Sequence, residues 1–221
     1  MTAAAGDGDV GDGDVGRAGA AGITAVVFDL GGVLLDWDPR YILRAHAADD
    51  EVDELLRKVD IAGAQRALDA GAPLDEVHTH WRATYPDHAV ALDDYFGRWH
   101  DTLPGQFDEV VKILDEVRRR GDVRLYVLSN FSGDLFRTAR PRFRFREWFD
   151  GLLISGAEGV IKPDPEVFEL LIDRFDLERA STIFIDDRHE NVAAARAAGL
   201  LGIRHISADD LRARLRALGV L

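Results

Sequence analysis

Four places in the chain carry side chains able to handle a metal ion and a phosphate together. Asp29 follows the apolar run "TAVVF" (24–28), and Ser129 and Asn130 follow "VRLYVL" (123–128). Lys162 lies in "GVIKPDPEVF", a few residues beyond "GLLI" (151–154), and Asp186 and Asp187 follow "STIFI" (181–185). Three carboxylates suit a hard cation that takes oxygen ligands. A hydroxyl, an amide and a compact ammonium suit the oxygens of a transferring phosphoryl group. Aspartate and serine also follow strands simply to start turns and cap helices. Four positions agreeing on one chemistry outweigh that explanation.

Such a site forms only if the four runs end in the same place. Their lengths and β-branched content suit strands buried on both faces, and "LGIRHI" (201–206) is a fifth. Amphipathic segments separate the later runs. "FDEVVKILDEVRRRG" puts Val110, Val111, Ile113, Leu114 and Val117 at helical spacing and stops at Gly121. "PEVFELLIDRF" has Pro165 in its first turn, and "ENVAAARAAG" and "ADDLRARLRALG" follow. This alternation predicts an α/β fold with a doubly wound parallel, Rossmann-like sheet. In open sheets of this kind, ligands bind outside the carboxyl ends of the strands.

Nearly a hundred residues separate the first run from the second, far more than one crossover needs. They read as helices, "PRYILRAH", "DDEVDELLRKV", "AGAQRALDAG", "LDEVHTHWRATY" and "LDDYFGRWH", punctuated by Gly71, Pro73, Pro86 and Pro104. The expected organisation is a core over 23–37 and 105–221 with an inserted α-helical cap over 38–104. Both ends of the cap return to one edge of the sheet, above the strand ends. Residues 1–22, with "GDGDV" twice in succession, hold too little apolar surface to offset their ordering entropy and are expected to be a disordered tail.

Composition narrows the function. A formal net charge of -13 disfavours nucleic acid and anionic membrane surfaces as partners. The absence of cysteine removes disulfides, thiol catalysis and thiolate zinc sites. No apolar run approaches the roughly 20 residues of a membrane helix, and the N-terminus lacks a signal-peptide pattern. A cytoplasmic protein, monomer or homodimer, is expected.

In order and spacing, "FDLGGVL", "LSN", "KPDPEVF" and "FIDDRHEN" resemble the four motifs of the haloacid dehalogenase-like hydrolases, over residues 24–206. The insertion between the first two motifs resembles the subgroup with a helical cap. The resemblance implies that Asp29 is the nucleophile and forms an aspartyl-phosphate. It implies Mg²⁺ on the Asp29 carboxylate, the Gly31 carbonyl and Asp187, with Asp186 beside it or acting through water. Ser129 and the Asn130 backbone would hold phosphoryl oxygens, and Lys162 would neutralise the nucleophile and the phosphoryl charge. The implied partner is a small phosphorylated metabolite, sugar phosphates first, because a closing lid favours compact ligands.

One position departs from the pattern. Most phosphatases of that family carry a second aspartate two residues after the nucleophile, as acid and base, and this chain has Gly31 there. Such help is typically worth about 10²–10⁴-fold. Three readings stay open: a phosphatase with another proton donor or a preference for good leaving groups, a metal-free 2-haloacid dehalogenase, and a catalytically weak phosphate binder. Adjacent acids would raise the nucleophile's pKa if left without a cation, so Asp186 and Asp187 favour the first.

Asp36 and Asp38 are candidate surrogate acids, although capping before a helix is the simpler reading. His78 and His80, two apart on a helix, face different sides and do not suggest a shared metal. His189 is expected in a first helical turn facing solvent, and Asn191 in the hydrogen bonding of the acidic loop. Arg40 and Arg66 are candidate substrate contacts, and Trp37, Tyr41, Trp81, Tyr85, Tyr95, Phe96 and Trp99 crowd the cap.

Overall fold

The computed structural model describes residues 22–221, so the tail expected over 1–22 lies, but for Gly22, outside the described residues. The strands are β1 (Ala25–Phe28), β2 (Leu35–Asp36), β3 (Gly105–Gln106), β4 (Arg124–Ser129), β5 (Gly151–Ile154), β6 (Thr182–Asp186) and β7 (Leu201–Arg204). Five of them form one sheet in the order β5-β4-β1-β6-β7, every neighbouring pair parallel. Phe28 pairs with Val127 on one side and Ile185 on the other, so β4 runs two residues and β6 one residue past the end of β1.

Alternation along each strand divides the interior into two layers. Val26, Phe28, Leu125, Val127, Ile183 and Ile185 face one apolar cluster; Ala25, Val27, Tyr126, Leu128 and Phe184 face the other. The helices are α1 (Arg40–Leu43), α2 (Val52–Lys58), α3 (Ile61–Asp69), α4 (Leu74–Thr84), α5 (Ala89–Gly97), α6 (Asp108–Arg120), α7 (Gly133–Ala139), α8 (Ser155–Glu158), α9 (Pro165–Phe175), α10 (His189–Ala197) and α11 (Ala208–Ala217). The apolar stripes of α6 and α11 fill the first layer, and α9 with Ala195 of α10 fills the second. The helix α6 ends at Gly121, which takes φ +74 as its C-cap.

Helices α1 to α5 lie between β2 and β3. Those two-residue strands pair antiparallel, Leu35 with Gln106 and Asp36 with Gly105, and clasp the two ends of the helical segment. Sequence patterning shows neither, since two residues carry no period. Strand limits also shift, β1 starting one residue later than its apolar run. The strands β4 and β6 start and end one residue later than their apolar runs, and β7 stops at Arg204. The parallel ladder continues through Ser129, paired with Ile154, and through Asp186, paired with Arg204. Both residues thus belong to strands instead of following them.

Candidate active site

Asp29 leaves β1 held by the neighbouring strand: its N–H donates to Ile185 O at 2.9 Å, while its own Oδ1 accepts from Leu30 N at 2.7 Å. Lys162, 2% exposed, reaches this carboxylate from the loop after α8; its Nζ lies 3.0 Å from Asp29 Oδ1 and 2.6 Å from Asp186 Oδ2. Two bonds with Asn130 fix the lysine backbone. Asn130 Nδ2 donates to Lys162 O at 2.9 Å, and Lys162 N donates to Asn130 Oδ1 at 2.8 Å. The Asn130 side chain therefore braces Lys162, which leaves only its backbone for a ligand.

The adjacent acids have divided surroundings. Asp186 is fully buried and accepts from Arg188 N at 2.9 Å and from Asn191 Nδ2 at 3.0 Å to each oxygen, besides Lys162. Asp187, the next residue, borders the cavity. Gly32 makes room for it. At Gly32 φ is +72, and a Cβ there would stand 2.6 Å from Asp187 Oδ2.

Ligand oxygens of Asp29, Asp186 and Asp187 lie within 4.8 Å of one another, and Lys162 is the one ammonium paired with them among the described residues. Burial pushes the Asp29 carboxyl up to about 7; Lys162 pulls against this, and Asp186 and Asp187 add to it. Burial, then Asp186, also raises Asp187. Burial alone would depress the Lys162 ammonium, but Asp186 and Asp29 outweigh it and hold it above its usual range. Three acids against one cation, all oxygen donors, fit a hard divalent ion. Asp29, Gly31 and Asp187 border the cavity, whereas Asp186 is committed to Lys162 and Asn191.

A cavity of about 680 Å³ opens over this centre, within the size of small-molecule pockets. Asp29, Lys162 and Asp187 border it from the core, and Trp37, Gln65, Arg66, Asp69 and Trp99 from the helical segment. Asn130 borders it as well, whereas Ser129 is buried at the end of β4. Asp36 and Asp38 do not border it. Asp36 accepts from Tyr41 Oη at 3.0 and 2.9 Å, and Asp38 caps Arg40 N at 2.8 Å. Arg40 pairs with Asp53 and Asp38 outside the cavity, so of the two candidate arginines only Arg66 lines it. His78 pairs with Asp93 at 2.7 Å, and His189 opens α10 on the surface.

Sequence reasoning missed Asp69. It is buried, it borders the cavity, and it lies on the Ile61–Gln65–Asp69 face of α3. A carboxylate on the inward face of an amphipathic helix was the available signal.

The haloacid dehalogenase-like hydrolase family matches residues 23–199. The chain belongs to that family. The hydrolase is similar to a sesquiterpene phosphatase of Aspergillus oryzae, 28% identical over 193 residues, which covers 81% of this chain and 88% of that one. It is also similar, over a shorter stretch, to an (S)-2-haloacid dehalogenase of Pseudomonas, 33% identical over 90 residues, covering 41% and 38% of the two chains. Among solved structures, a magnesium complex of a family enzyme from Bacteroides thetaiotaomicron superposes with a TM-score of 0.68 at 19% identity, over 89% of this chain and 100% of that one. At that identity the likeness concerns the fold.

Proposed function

We propose that this hydrolase is a Mg²⁺-dependent phosphatase of a small phosphomonoester. The observation that carries the reading is the three-carboxylate cluster served by a single buried lysine. A metal-free dehalogenase gains nothing from Asp187, which crowds charge onto the nucleophile. The magnesium complex of the Bacteroides enzyme supports the same choice of ion.

In this reading Asp29 attacks phosphorus and becomes the aspartyl-phosphate, which water then hydrolyses. Lys162, locked between Asp29 and Asp186, offsets charge on the nucleophile and on the phosphoryl oxygens without reorganising. The Asn130 backbone takes phosphoryl oxygens, with Ser129 buried behind it at the end of β4. Asp186 and Asn191 keep Lys162 in place. Bound Mg²⁺ supplies charge neutralisation of the phosphoryl group and the nucleophile. The helical segment closes over the cavity as a cap and chooses the leaving group.

Sugar phosphates and similar metabolites fit a cavity of this size bordered by Gln65, Arg66 and Asp60. A sesquiterpene phosphate is a second class, favoured by the apolar borders Trp37, Trp99, Leu103, Phe131 and Ile161 and by the Aspergillus relative. The test is a phosphatase panel containing p-nitrophenyl phosphate, hexose phosphates and a farnesyl monophosphate. Phosphate release is expected to vanish with EDTA, return with Mg²⁺ and be absent in Asp29→Asn. Chloride release from 2-chloropropionate in EDTA, with no phosphate release under any condition, overturns the reading.

A further inference from the structure

We propose that Asp69, at the end of α3, is the acid and base that this enzyme lacks at Gly31, giving a proton to the leaving oxygen and later taking one from the attacking water. The proposal rests on the phosphatase reading and deepens it. Among the described residues three carboxylates are buried: Asp29 and Asp186 belong to the centre, and Asp69 is the third. It borders the same cavity as Asp29 and Lys162, from the helical segment.

Its surroundings orient it without neutralising it. Gln65 Nε2 donates to Asp69 Oδ1 at 2.8 Å. The amide cannot flip, because Gln65 Oε1 accepts from Tyr95 Oη and Trp99 Nε1, each at 3.2 Å. The other oxygen, Oδ2, has no hydrogen-bond partner among the described residues. The backbone is tied to the loop after β4: Ser155 Oγ donates to Asp69 O at 2.6 Å and accepts from Phe131 N at 3.0 Å. Phe131 follows Asn130, so Asp69 and the phosphate-binding loop share one hydroxyl as their link.

Among the described residues no cation forms an ion pair with Asp69. Lys162, Arg188 and Arg66 act on it only at a distance, and Tyr95 is the other titratable group facing it. Burial consequently lifts its carboxyl to about 6, while the Gln65 hydrogen bond and then those three cations work the other way. A group poised near neutrality can serve in both directions. In the first step the P–O bond to the alcohol breaks as Asp29 bonds to phosphorus, and the Asp69 proton passes to the departing oxygen, releasing the alcohol. In the second, the Asp69 carboxylate accepts a proton from water as that water attacks phosphorus. The Asp29–phosphorus bond breaks, inorganic phosphate leaves, and Asp69 is again protonated.

The experiment compares wild type, Asp69→Asn, Gly31→Asp and the double variant on p-nitrophenyl phosphate and on alkyl phosphates, with Mg²⁺, each protein checked by circular dichroism. Asp69→Asn should lower kcat on alkyl phosphates by about 10²–10³-fold and on p-nitrophenyl phosphate far less in the first step, because only the alkoxide needs a proton. Quenched intact-mass analysis should then show phosphorylated Asp29 accumulating on the aryl ester, and adding Gly31→Asp should restore alkyl turnover. In wild type, the ratio of alkyl to aryl rates for the phosphorylation step should fall as pH rises through about 6. Gln65→Leu, which removes the bond holding Asp69 down, should move that fall to higher pH. Alkyl turnover of Asp69→Asn within threefold of wild type overturns the proposal, as do equal losses on both esters that Gly31→Asp does not repair. An Asp69→Asn protein that does not fold leaves the wild-type and Gln65→Leu profiles to decide, a pH-independent ratio overturning it. Wild type without phosphatase activity overturns the underlying reading instead, and shows in the same assay.

Discussion

At Gly32 the backbone takes φ +72 and points its missing Cβ at Asp187, whereas a Cβ on Gly31 would meet only Trp37 Cβ, at 3.9 Å. The two glycines therefore do different work. Gly31 is a position where a side chain is absent, and Gly32 is one where none fits. Gly32→Ala should destabilise the fold by about 1–2 kcal/mol through its left-handed backbone, and should raise the Mg²⁺ concentration for half-maximal activity by moving Asp187. Gly31→Ala should leave both nearly unchanged. Urea melts and a Mg²⁺ titration of activity measure the pair, and equal effects at the two positions contradict this assignment. The motif made the departure at position 31 legible; which glycine the backbone needs became visible only with its dihedral angles.

Within the helical segment α3 carries the catalytic proposal, and α8, which follows β5 in the core, anchors it. Ser155 is fully buried and its hydroxyl serves two backbone groups, Asp69 O and Phe131 N. Removing it strands both, and a buried unsatisfied group costs about 1–3 kcal/mol. Ser155→Ala is expected to lower stability by that amount in urea unfolding; a change under about 0.5 kcal/mol would mean that water replaces the hydroxyl. The five strands of the sheet were readable as apolar runs, and helices α6, α9, α10 and α11 from apolar spacing. The short helices α7 and α8 and the clasp of β2 with β3 were not, because their few residues are fixed by tertiary contacts rather than by a repeating pattern.

At the scale of the molecule, a buried, unpaired Asp69 should tax neutral-pH stability. Its folded-state pKa of about 6 stands above the ordinary 3.8, so between those values the native state binds more protons than the unfolded chain. Stability from this group is full below about pH 4 and declines as pH rises to about 6, a loss on the order of 3 kcal/mol. Asp69→Asn should accordingly be more stable than wild type at pH 7.5, with the difference closing at pH 4. Guanidinium melts at the two values check this, and a less stable Asn variant at pH 7.5 would point to a charge partner for Asp69. Excess acidity is general here, at a net -13, yet the charge that matters to chemistry is the local surplus at three carboxylates. Among the described residues no helix is long and apolar enough to cross a membrane.

The sequence by itself determined the parallel sheet and its site at the strand ends. Strands buried on both faces are written as unbroken apolar runs, and the residues that end them are adjacent in the chain to what positions them. That is why Asp29 and the Asp186–Asp187 pair could be placed together in advance, while Lys162 was placed by the loop that follows β5. Tertiary structure alone decided how those acids divide, with Asp186 turned to Lys162 and Asn191 and Asp187 to the cavity. It alone brought Asp69 to the same space, 40 positions beyond Asp29, because α3 reaches the centre only after the helical segment folds back and Ser155 ties it down. Spacing along the chain encodes local period, and contacts of that kind depend on where whole elements pack.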